Sequence, residues 1–229
     1  MAVLNIGVCN LRQSNKDKAI IFDMDHTIIR SSIDFSLMRW EVNRLLQKAK
    51  IEPPQTSFIS SVLSNVQHHP AMTPELWRSI MHCIDEIETA GLMAATAEQN
   101  VDFVLKELQK GAYLFVLTNN LQQAAERVLD KLNLLCYFDR VVGRGVMPAL
   151  KPDPAGIYFI RQYVVQIPKE RFLMIGDSLI DILVAYQAGI QFVAYNNSRE
   201  ENWQTLGQVP LVFLKNWDEQ ALQELAKVF

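Results

Sequence analysis

Apolar positions run along this chain in two different periods. Four consecutive apolar residues, Ala19-Ile20-Ile21-Phe22, stop abruptly at Asp23, which predicts a buried strand. From about residue 34 to residue 91 the spacing turns helical. Phe35, Met38, Val42, Leu45 and Ala49 recur at intervals of three and four, and Pro53-Pro54 ends that helix. Phe58, Ile59, Val62, Leu63 and Val66 form a second stripe, closed by Pro70. Thr73-Pro74-Glu75 supplies a third helix with an N-cap, a first-turn proline and a first-turn acid. Trp77, Ile80, Ile84 and Ile87 carry it towards Gly91, and no strand signal interrupts the block.

After about residue 97, strands and helices alternate. Tyr113-Leu114-Phe115-Val116-Leu117, Arg140-Val141-Val142-Gly143, Phe172-Leu173-Met174-Ile175, Phe192-Val193-Ala194-Tyr195 and Leu211-Val212-Phe213-Leu214 read as strands. Between them lie helical stripes at 101–108, 124–132, 157–164 and 179–188, and a last helix runs over 218–228. This alternation predicts an α/β fold: a mostly parallel, doubly wound sheet with helices on both faces. The expected organisation is a core at 18–28 and 95–229, with an inserted helical unit at 29–94. Residues 1–17 read as a tail or an extra edge strand. There is no internal repeat and no low-complexity segment.

Composition narrows the class. A length of 229 residues suits one large domain or a core with a smaller insertion. A net charge of −3 gives no attraction for nucleic acid. No apolar run approaches the ~20 residues of a membrane helix, so no membrane partner is expected. Residues 1–10 lack the basic start and long apolar stretch of a signal peptide. Cys9, Cys83 and Cys136 are odd in number and far apart, without a Cys-x-x-Cys pair, which points to a reducing, cytoplasmic setting.

Candidate chemistry gathers at four strand ends. Asp23 and Asp25 stand two apart at the end of the first strand, where α/β sheets bind ligands. One acid there is placed to attack phosphorus and the other to move a proton, although Asp also serves ordinary turns. Thr118-Asn119-Asn120 offers a hydroxyl, carboxamides and backbone N–H groups to a phosphate, or an N-cap to a helix. Lys151-Pro152-Asp153-Pro154 holds an ammonium in a stiffened segment, where it offsets repulsion between a carboxylate and a phosphate, or faces solvent. Asp177 and Asp181, four apart at the opening of a helix, suit Mg²⁺ or simply the helix dipole. If all four ends converge, the acids repel one another unless a cation sits among them.

These segments, in this order and spacing, resemble the haloacid dehalogenase superfamily, in its branch of small, phosphoglycolate phosphatase-like enzymes with a helical cap. The match rests on Asp23-Met24-Asp25-His26-Thr27, Leu117-Thr118-Asn119, Lys151-Pro152-Asp153-Pro154 and the run Gly176-Asp177-Ser178-Leu179-Ile180-Asp181, and spans about residues 18–229. The resemblance implies a Rossmann-like core, a cap at 29–94, Mg²⁺, and hydrolysis of a small phosphorylated metabolite through an aspartyl-phosphate. Asp23 is then the nucleophile and a metal ligand. Asp25 is the acid and base, its carbonyl also on the metal. Thr118 and the Asn119 backbone hold the phosphoryl group, and Lys151 pairs with Asp23 and the phosphate. Asp177 ligates the metal, and Asp181 acts on it indirectly. The same motifs serve a phosphomutase equally well, and a non-catalytic phosphate-binding protein on this fold is a third reading. Two positions depart from the family pattern. His26 stands where Gly is frequent, and either reaches substrate or points to solvent. Arg30 stands where an acid is common, and either meets a second anionic group or is a solvated hinge residue. A monomer or weak homodimer is expected.

Overall fold

The computed structural model describes residues 16–56, 58–196 and 210–228; most of the expected tail or edge strand at 1–17 lies outside them. Strands β1 (Lys18–Phe22), β4 (Ala112–Leu121), β5 (Arg140–Arg144), β6 (Phe172–Gly176), β7 (Gln191–Tyr195) and β8 (Phe213–Leu214) form one sheet. Its order is β5-β4-β1-β6-β7-β8, and every pairing is parallel. β1 lies near the centre, which explains its apolar run: both faces are covered.

The period of two divides the core cleanly. Ile20 and Phe22 join Leu114, Val116, Leu173 and Ile175 on one face, while Ala19 and Ile21 join Phe115, Leu117, Phe172 and Met174 on the other. The first face is covered by α4 (Val101–Leu108), α5 (Gln122–Lys131) and α8 (Glu219–Val228). The second is covered by α6 (Ala155–Arg161) and α7 (Leu179–Ala188). Trp217 closes one end: its ring stacks on Tyr195 with centroids 4.4 Å apart, and its Nε1 donates to the Thr27 carbonyl at 2.7 Å.

Between β1 and α4 the chain makes three further helices, α1 (Phe35–Lys48), α2 (Ile59–Val66) and α3 (Pro74–Met93). Asp34 caps α1 by accepting from the Leu37 N–H, and Thr73 caps α3 by accepting from the Leu76 N–H. The stretches entering and leaving this unit pair as a two-residue antiparallel ribbon, β2 (Ile29–Arg30) with β3 (Thr96–Ala97). The sequence pattern carries no sign of that ribbon. Gly91 does not stop α3; it lies inside the helix against Ile33, whose Cα stands 2.5 Å from where a Cβ would be. Glycine is needed there because the helix touches the incoming linker backbone.

Two departures from the sequence reading bear on the site. β4 does not end at Leu117 but continues to Leu121. Its register against β5 steps from Leu117↔Val142 to Leu121↔Arg144, so four residues of β4 advance against two of β5. That bulge pushes Thr118, Asn119 and Asn120 out of the regular ladder at the sheet edge. Gly143 accommodates it, since a Cβ there would meet the Asn120 carbonyl oxygen at 2.8 Å. In addition, Asp177 precedes the N-cap of α7 rather than sharing its first turn with Asp181.

Candidate active site

All four motifs open at the carboxyl edge of the sheet. Asp23 follows β1 directly, and its N–H still donates to the Ile175 carbonyl of β6 at 2.8 Å, so the acid is fixed one step beyond the ladder. The chain then turns sharply: the N–H groups of Ile28 and Ile29 both donate to the Met24 carbonyl. His26 takes a left-handed φ of 56° in that turn and is exposed. A positive φ is the physical reason glycine suits this position, and His pays a modest strain for occupying it.

Lys151 is buried at the centre of the acids. Its Nζ lies 2.5 Å from Asp23 Oδ1 and 2.7 Å from Asp181 Oδ1. The lysine is set in place through its backbone by Asn119, whose Nδ2 donates to the Lys151 carbonyl and whose Oδ1 accepts the Lys151 N–H, at 3.0 and 2.8 Å. Asp181 is locked as well. It forms a capping box with Ser178, taking the Ser178 N–H and hydroxyl on Oδ2 while Oδ1 faces the ammonium. Gly176 makes room for it, since a Cβ there would stand 2.5 Å from the Asp181 carboxyl carbon. With both oxygens engaged, Asp181 orients Lys151 and the loop, and leaves Asp177 the freer acid.

Carboxylate oxygens of Asp23, Asp177 and Asp181 lie within 4.8 Å of one another. The electrostatics are correspondingly unbalanced. Burial, then the charge of Asp181, pushes the Asp23 carboxyl well above its usual range, although Lys151 pulls it back. Burial and Asp181 also push Asp177 up to about 7. Burial works against the Lys151 ammonium, but Asp181 and Asp23 outweigh it and raise its value. Three carboxylates gathered around one ammonium carry surplus negative charge, and this set of acids fits a divalent cation.

Asp25 is half-buried; burial raises its carboxyl, and the nearby Ser31 hydroxyl and then the Asn120 carboxamide oppose that, the latter by donating to Oδ2 at 2.5 Å. Thr118 is buried, and its hydroxyl accepts the Asn120 N–H at 3.2 Å. Arg30 is held at the hinge ribbon, with Nε and Nη2 on the two oxygens of buried Glu98 at 2.9 and 3.0 Å. Tyr195 donates to the same Glu98. This pair ties the two linker strands together and, through Tyr195, to the core.

Three residues complete the site: Asn120, read from sequence only as part of a phosphate-binding or capping segment, and Arg144 and Glu88, which the sequence reading passed over. Asn120 touches Asp25. Arg144, at the end of β5, donates Nε to the Asn119 carbonyl, Nη1 to Asp85 and Nη2 to Glu88 of α3. Glu88 in turn accepts the Leu121 N–H at 3.2 Å. One signal was available: Glu88 continues the buried stripe Ile80-Ile84, and an acid on an apolar face calls for a partner.

Known proteins agree with this geometry. The sequence profile of the haloacid dehalogenase-like hydrolases matches residues 20–195. Phosphoglycolate phosphatase of Vibrio cholerae is 30% identical over 184 residues, covering 75% of this chain and 81% of its own. A predicted phosphoglycolate phosphatase from Haemophilus somnus superposes with a TM-score of 0.64 at 20% identity, over 93% of this chain and 99% of that one. The HAD-hydrolase YfnB of Bacillus subtilis, solved bound to magnesium, gives 0.60 at 19% identity, over 93% and 98%. With an acid pair after β1, a hydroxyl in the bulged end of β4, a buried lysine and a further acid pair after β6 all meeting at one edge, the chain belongs to the haloacid dehalogenase-like hydrolases, on the phosphatase side of that family.

Proposed function

We propose that this protein is a Mg²⁺-dependent phosphomonoester hydrolase that acts on a small phosphorylated metabolite through an aspartyl-phosphate at Asp23. The observation that carries the reading is the Asp23-Lys151-Asp181 cluster with Asp177 beside it, a buried surplus of negative charge at the edge where the family's nucleophile stands. An Asp23 carboxylate oxygen attacks phosphorus as the bond to the leaving oxygen breaks. Asp25 gives that oxygen a proton, then takes one from the water that attacks the aspartyl-phosphate. Lys151 and the N–H groups around Thr118 and Asn119 offset charge on the transferring group. Asp23, Asp177 and the Asp25 carbonyl would hold Mg²⁺, which when bound supplies positive charge against carboxylate and phosphate together. The helical unit would close over the edge and exclude water.

The Vibrio cholerae relative makes phosphoglycolate a first substrate to try, beside sugar phosphates and nucleoside monophosphates. Among the described residues no helix is long and apolar enough to cross a membrane, and Cys83 and Cys136 are free thiols; a cytoplasmic setting is part of the same proposal. Phosphate release from that panel, with Mg²⁺ and with chelator, tests it. Asp23→Asn is expected to keep its fold by circular dichroism and to lose turnover. Full turnover in that variant would end the mechanism.

A further inference from the structure

Asp25 has to present its carboxyl to the leaving oxygen in one orientation, and a carboxyl free to rotate would do so only part of the time. Its two oxygens sit differently. Oδ1 is buried without a hydrogen-bond partner among the described residues. Oδ2 accepts from Asn120 Nδ2. The Ser31 hydroxyl also stands near the Asp25 carboxyl without completing a hydrogen bond, so the formed hydrogen bond that sets the rotation of Asp25 is the one from Asn120.

Asn120 is itself built into place. It is 4% exposed, and its own N–H donates to Thr118 Oγ1. The residue before it is held by Arg144 through the Asn119 carbonyl, and the residue after it by Glu88 through the Leu121 N–H. Gly143 leaves the space that its carbonyl occupies. The bulge in β4 places the side chain at the sheet edge rather than in the ladder. A buried amide supported on both flanks, with its donor spent on Asp25, is arranged to orient that acid.

We propose that Asn120 is a positioning residue for proton transfer by Asp25. This rests on the proposed hydrolase mechanism. In the step concerned, the O–H bond of neutral Asp25 breaks as the phosphorus–oxygen bond to the leaving group breaks. The proton ends on the leaving oxygen, and the electron pair of the O–H bond stays on the Asp25 carboxylate. Asn120 keeps its own protons and fixes the direction of the transfer.

A leaving-group comparison separates this role from a structural one. Proton donation is essential when an alkoxide leaves and nearly dispensable when a nitrophenolate leaves. The kcat/KM of wild type, Asn120→Ala, Asn120→Leu and Asp25→Asn is measured with the fastest alkyl phosphate of the panel and with p-nitrophenyl phosphate. Folding is checked by circular dichroism, and Asn120→Ser, which keeps a donor, serves if the larger changes fail to fold. The expected loss for the Asn120 variants is about 10²-fold with the alkyl phosphate, the low end of general acid contributions, and less than about tenfold with the nitrophenyl ester. Asp25→Asn is expected to show the same contrast, more steeply. If Asp25→Asn shows the contrast while the Asn120 variants lose equally on both esters, or lose nothing, the positioning role is overturned and the hydrolase reading stands. If Asp25→Asn shows no contrast, Asp25 is not the proton donor, and both fall.

Discussion

Replacing Arg144 by Met removes a guanidinium that three groups share and keeps a side chain of similar reach. The wild-type group donates to Glu88 at 2.5 Å, to Asp85 at 2.8 Å and to the Asn119 carbonyl at 3.2 Å. Only the Glu88 contact counts in full, because the Arg144 and Glu88 side chains are 10% and 7% exposed whereas Asp85 is 35% exposed. At 2.5 Å and an effective dielectric of about 20, the gross attraction is roughly 6–7 kcal/mol. The stranded Glu88 keeps its desolvation penalty and loses that attraction, so holding it ionised costs about 3–5 kcal/mol. The cost has a definite pH dependence. Burial raises the Glu88 carboxyl from 4.5 to about 7 even though Arg144 opposes it. For an acid whose folded value is raised, the stabilising contribution is present below the unfolded value and is lost as pH rises through the folded one. Without Arg144 the folded value climbs further, so a neutral Glu88 relieves the variant as pH falls. Urea unfolding followed by circular dichroism, at a pH of about 8.5 and of about 5.5, reads this directly. Protonation of Glu88 in the variant caps this deficit at about 1.4 kcal/mol per pH unit above about 7, so about 2 kcal/mol is expected at the higher pH and little of it at the lower. A deficit equal at both, or one that grows on acidification, would refute the assignment of Glu88 as the buried partner.

Two further outcomes follow from the site. Gly176→Ala puts a Cβ 2.5 Å from the Asp181 carboxyl carbon, and because Ser178 and Lys151 already hold that carboxylate, it has nowhere to go; a loss of about 1–3 kcal/mol is expected, with reduced phosphate release, and an unchanged Tm would show that Asp181 yields freely. Mg²⁺ at about a hundred times its Kd is expected to stabilise the folded chain by about 2.7 kcal/mol if it binds only that state; calorimetry with and without chelator measures this, and the gain should shrink in Asp177→Asn.

The sequence exposed what repeats and hid what does not. Buried strands were legible because Ala19-Ile20-Ile21-Phe22 and its neighbours are apolar on both faces, and an acid at the end of such a run stands out. The insert was legible from its change of period. The extension of β4 to Leu121 was not, because a bulge breaks the alternation on which strand reading depends. The pairing of Arg30 with Glu98 was not legible, because the two lie 68 residues apart across the linker ribbon. Asp177 and Asp181 looked equivalent by spacing, yet Ser178 starts the helix between them and turns one acid inward to Lys151. Long-range pairing of single polar residues leaves no periodic trace.

Charge balance joins the stability of this protein to its chemistry. Asp23 and Asp181 contact one buried ammonium, with Asp25 and Asp177 close by, and burial together with the charge of Asp181 raises Asp23 and Asp177 in spite of Lys151. A site made only for stability would replace surplus acids with apolar groups, since buried unpaired charge is costly. The protein instead keeps the strain at one edge and anchors the surrounding loops firmly: Asn119 on Lys151, Ser178 on Asp181, Arg144 and Glu88 on the bulge. Those anchors hold the acids together against their repulsion. The same repulsion would favour a bound cation, and a cation there would favour the ionised form of Asp23.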